Sequence, residues 1–233
     1  MKNVFLKSVV LAIASVGLLV GNALALPWDN LSSDWVVSGN MDYWTVTDLT
    51  TGQDGDSFFR ISMEQASYES NFGLYTIDTN GAVATRLQVF EANQEAGAMA
   101  NVNFWFDSGV WKVTTTFTDD GDLTNDGWID FAETFGFYYD VDAGHNGTID
   151  YTFYTDNSLN TAEAGEEHIM TAYNENTHWV YVYLDDQIGN GDGDFTDMTV
   201  FVNDVAPVPE PATMLLFGTG LAGLAGVVRR KKK

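Results

Sequence analysis

The chain has no cysteine among its 233 residues. Disulfides, thiolate metal sites and thiol catalysis are therefore excluded, and stability has to come from packing or from bound ions. Positive charge is nearly as scarce, with ten Lys and Arg against 33 Asp and Glu. Seven of those ten sit at the ends: Lys2 and Lys7 open the chain, and Arg229, Arg230, Lys231, Lys232 and Lys233 close it. Between residues 26 and 208 only Arg60, Arg86 and Lys112 stand against 32 acids, a formal net charge of −29. That sign disfavours nucleic acid and anionic membrane as partners of the middle region and favours divalent cations. Solubility in a saline setting is the alternative origin of the same composition. Histidine is limited to His145, His168 and His178. None has a zinc-type spacing, and there is no nucleophile elbow or phosphate loop. His168 is read as a hydrogen-bonded histidine at a strand end in preference to a general base.

What is present is apolar material: 45% hydrophobic and 14% aromatic residues, enough for one domain with a real core and too much for a disordered chain. Short alternating runs recur between Gly, Asn and Asp: SFFRISM, FGLYTID, TRLQVFE, NVNFWF, VWKVTTTF, TFGFYYD, TIDYTFY, HWVYVYL and DMTVFV. Their Val, Ile, Thr, Tyr and Phe content is strand chemistry. No long segment has a 3.6-residue period, so the expected fold is all-β, an antiparallel β-sandwich of jelly-roll-like form. In TRLQVFE, alternation puts Leu87 and Val89 on one face and Arg86, Gln88 and Phe90 on the other. Asn80-Gly81 supplies the positive φ that closes a hairpin between FGLYTID and TRLQVFE.

The two ends read differently. Lys2 and Lys7 precede an apolar run and a small-x-small site, Ala23-Leu24-Ala25, which is the pattern of a secretory signal peptide cut after Ala25. Ala212 to Val228 is an uncharged run of 17 residues, about 26 Å as a helix and just long enough to span a bilayer. The basic cluster behind it would remain cytoplasmic. The expected organisation is a signal peptide at 1–25, a lead-in at 26–39, the sandwich at 40–203, a Pro-rich spacer at 204–211, a transmembrane helix at 212–228 and a basic tail at 229–233. Pro209-Glu210-Pro211, the apolar run and the basic end together resemble the PEP-CTERM sorting signal of exopolysaccharide-producing Gram-negative bacteria. That resemblance implies recognition at Pro209, Glu210 and Pro211 by a membrane exosortase, cleavage nearby, and release to the cell surface or matrix. A plain tail anchor is the alternative.

Three carboxylate clusters carry the chemistry. In DLTNDGWIDFAE, Asp122, Thr124, Asp126, Asp130 and Glu133 fall at positions 1, 3, 5, 9 and 12 of a calcium loop, with Gly127 at the sharp turn and the Trp128 carbonyl at position 7. Thr124 is a weaker donor than the usual Asp or Asn, and the flanks read as strands, so this would be an EF-hand-like loop between strands; an ordinary acidic turn is the alternative. Asp142 to Phe153 follows the same rhythm but ends on Phe153 where a carboxylate is needed, and reads as a turn around Asn146-Gly147. The third cluster holds Asp185, Asp186, Asp192, Asp194 and Asp197 beside glycines. Gathering these acids without a cation would cost repulsion, and Asp186, Asp192, Asp194 and Asp197 are candidate calcium ligands.

Residues 40 to 203, including FGLYTID, FGFYYD, the strand from His168 to Tyr173 and Gly193-Asp194-Phe195-Thr196-Asp197 with Asp192 before it, also resemble a bacterial extracellular domain of unknown function. Its terminal motif is Gly-x-x-Asp-aromatic-x-Asp. The resemblance implies a β-sandwich, extracellular placement and no catalytic residues. The expected protein is thus a secreted, exosortase-processed, non-enzymatic component of the surface or biofilm matrix, structural or adhesive, binding Ca²⁺. Its partners would be the exosortase and exopolysaccharide or other matrix components, with the membrane met only through the C-terminal helix. The alternative is a carbohydrate-binding module, for which Trp28, Trp35, Trp44, Trp105 and Trp111 supply stacking rings and which requires a row of exposed aromatics on one sheet face. A glycoside hydrolase using a carboxylate pair is third.

Overall fold

A computed structural model describes residues 26–47, 54–64, 68–91, 94–117, 127–163, 166–189 and 193–208. The expected signal peptide and its Ala25, the transmembrane run and Pro209, Glu210 and Pro211 lie outside the described residues, as do Asp122, Thr124, Asp126 and Asp192. Among the described residues no helix is long and apolar enough to cross a membrane.

The described chain is all-β and its sheets are antiparallel. Numbered in chain order, the larger sheet runs in space β1 (Trp35–Ser38), β11 (Ile169–Asn174), β12 (Trp179–Leu184), β13 (Met198–Val202), β3 (Asp54–Glu64), β6 (Met99–Asp107), β7 (Val110–Phe117), β8 (Ile129–Phe131). The smaller sheet runs β10 (Tyr151–Tyr154), β9 (Gly136–Asp142), β4 (Glu69–Ile77), β5 (Val83–Phe90), and β14 (Val205–Pro207) pairs with β2 (Trp44–Val46). A single 3₁₀ turn, Asn157–Leu159, follows β10. Each of the nine runs read from composition contributes a strand. The sheets are unequal, eight strands against four, where a jelly roll divides its strands evenly. The strands also reach past the expected limits: the lead-in supplies β1, an edge strand of the larger sheet, and the spacer supplies β14, which pairs with β2 in a separate two-stranded ladder. Short strands such as these lack enough alternation to stand out in the sequence.

The inner faces meet in an aromatic core. Phe59 of β3 lies 6.4 Å from Phe72 of β4, ring to ring, and Phe72 stacks on Phe137 of β9 at 5.8 Å. Trp44, Phe104, Phe135 and Phe153 are also fully enclosed. Alternation holds in β5 for Leu87 and Val89, which are buried, but Phe90 is buried too. A bulge explains the exception: Phe72 pairs with Phe90 and Gly73 with Gln88, which turns Phe90 inward. Gly73 is required there, since a Cβ would lie 2.2 Å from the Leu87 carbonyl. The Asn80-Gly81 hairpin forms as expected, with Gly81 at φ +81° and Asp78 Oδ1 accepting from the N–H groups of Asn80 and Ala82.

Candidate metal centre

The end of β12 and the start of β13 bring three aspartates together. Leu184 and Met198 are the last register pair of this ladder, so Asp185 and Asp186 leave one strand where Asp197 enters the other. All three are buried, Asp186 completely. One carboxylate oxygen from each lies within 4.8 Å of the others. The backbone fixes them: Asp185 N–H donates to the His168 carbonyl at 3.0 Å, and Asp186 N–H donates to Asp197 Oδ2 at 2.7 Å. Asp185 Oδ1 accepts from Gln187 N–H, and Asp186 Oδ2 accepts from Tyr68 N–H at 3.3 Å.

Charge at this cluster is strongly opposed. Two like unit charges about 4 Å apart repel by about 4 kcal/mol at an effective dielectric near 20. Burial pushes the Asp197 carboxyl up to about 7; the Asp186 N–H works against that shift, and the charges of Asp186 and Asp185 add to it. The three cations of residues 26–208 are all engaged elsewhere: Arg86 on Asp140, Lys112 on Asp130, and Arg60 above the Phe201 ring. The Tyr139 hydroxyl and Ser70 Oγ, both buried on the inner face of the smaller sheet, have no well-formed hydrogen bond among the described residues. Burial holds the Tyr139 phenol well above its ordinary pKa, and the charges of Asp186, Asp197 and Glu64 push it the same way. Oxygen donors of this hardness and number are the ligand chemistry of Ca²⁺.

An open cleft of about 590 Å³ adjoins the cluster, lined by Glu163, Glu166, Glu167, His168 and Asp185 among others. His168 is buried and hydrogen-bonded immediately before β11, in keeping with its reading as a hydrogen-bonded histidine at a strand end. It stacks on Phe153 at 3.7 Å, with Nε2 3.2 Å from Glu163 Oε2 and Nδ1 3.4 Å from the Asp185 carbonyl. Past the cleft the chain turns through Gly193 and Phe195, both at positive φ, and Phe195 lands 5.5 Å from Trp28. A bulky side chain in that region carries strain that the surrounding packing must hold.

Of the expected ligands, Asp186 and Asp197 meet. Asp194 does not join them: its Oδ1 caps its own turn, accepting from Thr196 N–H at 2.9 Å and Oγ1 at 2.7 Å. Asp185 was part of the acidic run but not of the expected ligand set. The signal for it was position, since it abuts the apolar end of one strand directly opposite the residue that opens the next. In the other loop, Trp128 is 46% exposed against Trp105, Asp130 sits in β8 with its carboxylate 3.2 Å from Lys112 Nζ, and Glu133 is exposed. Neither Asp130 nor Glu133 belongs to a ligand cluster among the described residues. The Asp142 stretch is a turn: its buried carboxylate accepts from the N–H groups of Asn146 and Gly147. Burial opposes its charge, and these N–H groups outweigh that and hold it below the ordinary carboxylate range.

No curated protein and no solved structure matches the chain. Residues 207–231 match the PEP-CTERM protein-sorting motif, so the chain carries the signal that directs exported proteins through an exosortase toward the cell surface.

Proposed function

We propose that this protein is a non-enzymatic structural or adhesive component of the cell surface or extracellular matrix, whose β-domain is locked by a calcium ion held at Asp185, Asp186 and Asp197. The observation that carries this is the convergence of three buried carboxylates on residues already hydrogen-bonded into the ends of two adjacent strands. A cation there joins β12 to β13 and, through Tyr139, faces the smaller sheet, which is the role a disulfide has in other exported domains. The acidic cleft beside it gives the ion an approach from solvent.

Thermal melts of the purified protein with calcium and with chelator test the metal role; equal midpoints would remove it. Processing is tested in cells. With Glu210→Ala, an uncleaved, membrane-bound form accumulates if an exosortase reads the Pro209-Glu210-Pro211 box, whereas normal release would assign sorting to another feature.

A further inference from the structure

Part of the outer face of the eight-stranded sheet carries a row of aromatic and apolar side chains in this otherwise acidic molecule. Register aligns Tyr181 of β12 with Phe201 of β13, Phe201 with Arg60 of β3, and Arg60 with Met99 of β6, all on the face away from the core. Their neighbours in sequence, Val180, Val182, Val200, Val202, Phe59 and Ala100, are fully buried on the other side. Trp179 extends the row, 5.4 Å from Phe201 ring to ring, and Trp35 of β1 lies 5.2 Å from Tyr181. Arg60 reaches over Phe201 at 5.9 Å. From β1 to β6 the face crosses five inter-strand steps, roughly 24 Å at about 4.8 Å each.

The chain covers one end of this row itself and leaves the remainder open. Trp28 packs on Tyr183 at 5.3 Å and Phe195 joins it, leaving Tyr183 4% exposed. Beyond them Trp179 is 45% and Met99 40% exposed. With Trp35, Tyr181 and Phe201 half-buried between them, these side chains form a line of partly exposed rings and methyls, which marks a partner surface. Charge narrows the partner. A domain of net −29 repels anionic polymers and membranes, while Arg60 on this face offers a fork of donors to hydroxyl and ring oxygens. Pyranose rings have apolar C–H faces that stack on aromatic rings and hydroxyl edges that take hydrogen bonds. Spaced rings with a planar donor between them suit that alternation.

We propose that this face binds a neutral polysaccharide chain laid across the strands, with Trp35, Trp179, Tyr181 and Phe201 as stacking platforms and Arg60 as the hydrogen-bonding group. The choice of partner rests on the extracellular placement proposed above and is independent of the metal centre.

The test is native electrophoresis of the full chain, in mild detergent with calcium, through gels containing hydroxyethylcellulose, mixed-linkage β-glucan, galactomannan, dextran or alginate. At least one neutral polymer retards the protein and alginate does not. Trp179→Ala and Tyr181→Ala each weaken that retardation about fivefold or more. Trp179→Phe restores it, and Ile149→Ala, an exposed apolar side chain between β9 and β10, leaves it unchanged. Migration unaffected by every neutral polymer overturns the assignment, as does retardation that survives both alanine variants. Sedimentation at rising concentration adds a third arm, in which a dimer abolished by Trp179→Ala gives the face to a second copy of the chain. Because the purified chain is used, failure here leaves the export reading intact, and failure of export in cells leaves this result standing.

Discussion

Asp140 and Asp197 are both buried aspartates, and the protein treats them in opposite ways. Asp140, on the outer face of the smaller sheet, meets the Arg86 guanidinium, which also lies 3.8 Å from the Tyr138 ring, and accepts from Thr152 Oγ1. Asp197, at the strand ends of the larger sheet, meets Asp185 and Asp186 instead. The first site brings its own counter-charge. The second gathers like charges, a stable arrangement only if protons or a cation neutralise them. A third acid, Asp130, shows the exposed limit: its side chain is 77% exposed and pairs with Lys112 in solvent. Burial together with the sign of the nearest charge, and not carboxylate density along the chain, separates a cluster whose charge must be neutralised from one that carries its own counter-charge.

The largest expected effect tests the cation directly. Calcium at about a hundredfold over its dissociation constant adds about 2.7 kcal/mol, and for a domain of this size that raises the melting midpoint by roughly 5–10 °C relative to chelator. A shift below about 1 °C would leave Asp197 neutralised by a proton alone. Next is Asp140→Asn, which removes the partner of a half-buried guanidinium and costs about 2 kcal/mol in denaturant unfolding, with or without calcium. No loss would mean that water serves Arg86 as well as Asp140 does.

Asp197→Asn should act with the opposite sign in chelator. It removes one of three like charges, so the metal-free domain becomes more stable, while the calcium-induced shift disappears; metal-free destabilisation would show that the carboxylate's bond to Asp186 N–H matters more than repulsion. The same residue sets a pH dependence. Its folded pKa, near 7, lies above the unfolded value of about 3.9, so between these limits the folded state holds more protons than the unfolded. Metal-free stability from this group is therefore full below about pH 4 and is lost as pH rises toward 7. Saturating calcium flattens that profile, and melts at pH 5 and 7.5 with and without the ion check it. The smallest effect is Asp130→Ala, within about 0.5 kcal/mol and without influence on the calcium response. A lost calcium response there would move the ion to the loop that ends at Glu133.

Much of the fold was legible because strand alternation is local. VWKVTTTF coincides with β7, and HWVYVYL and DMTVFV place β12 and β13 to within a residue. What alternation could not reveal was pairing: the unequal sheets, the use of Trp35–Ser38 as an edge strand, and the bulge that buries Phe90 all depend on partners distant in sequence. The candidate site was half legible for the same reason. The acidic run named the loop where carboxylates converge, but ligand spacing could not tell Asp185, held at a ladder end by the His168 carbonyl, from Asp194, consumed by its own turn with Thr196.

The sequence by itself determined the class and the address. Period-two runs, absent cysteine and the tripartite C-terminal signal are properties of neighbouring residues and need no fold to be read. Only the tertiary structure decided which acids become a cluster and which aromatics become a row. Both depend on strand register, which joins Asp186 to Asp197 and Tyr181 to Phe201 across gaps of 11 and 20 positions. Register is settled by which inner face can close over the core, a choice that no local run of residues records.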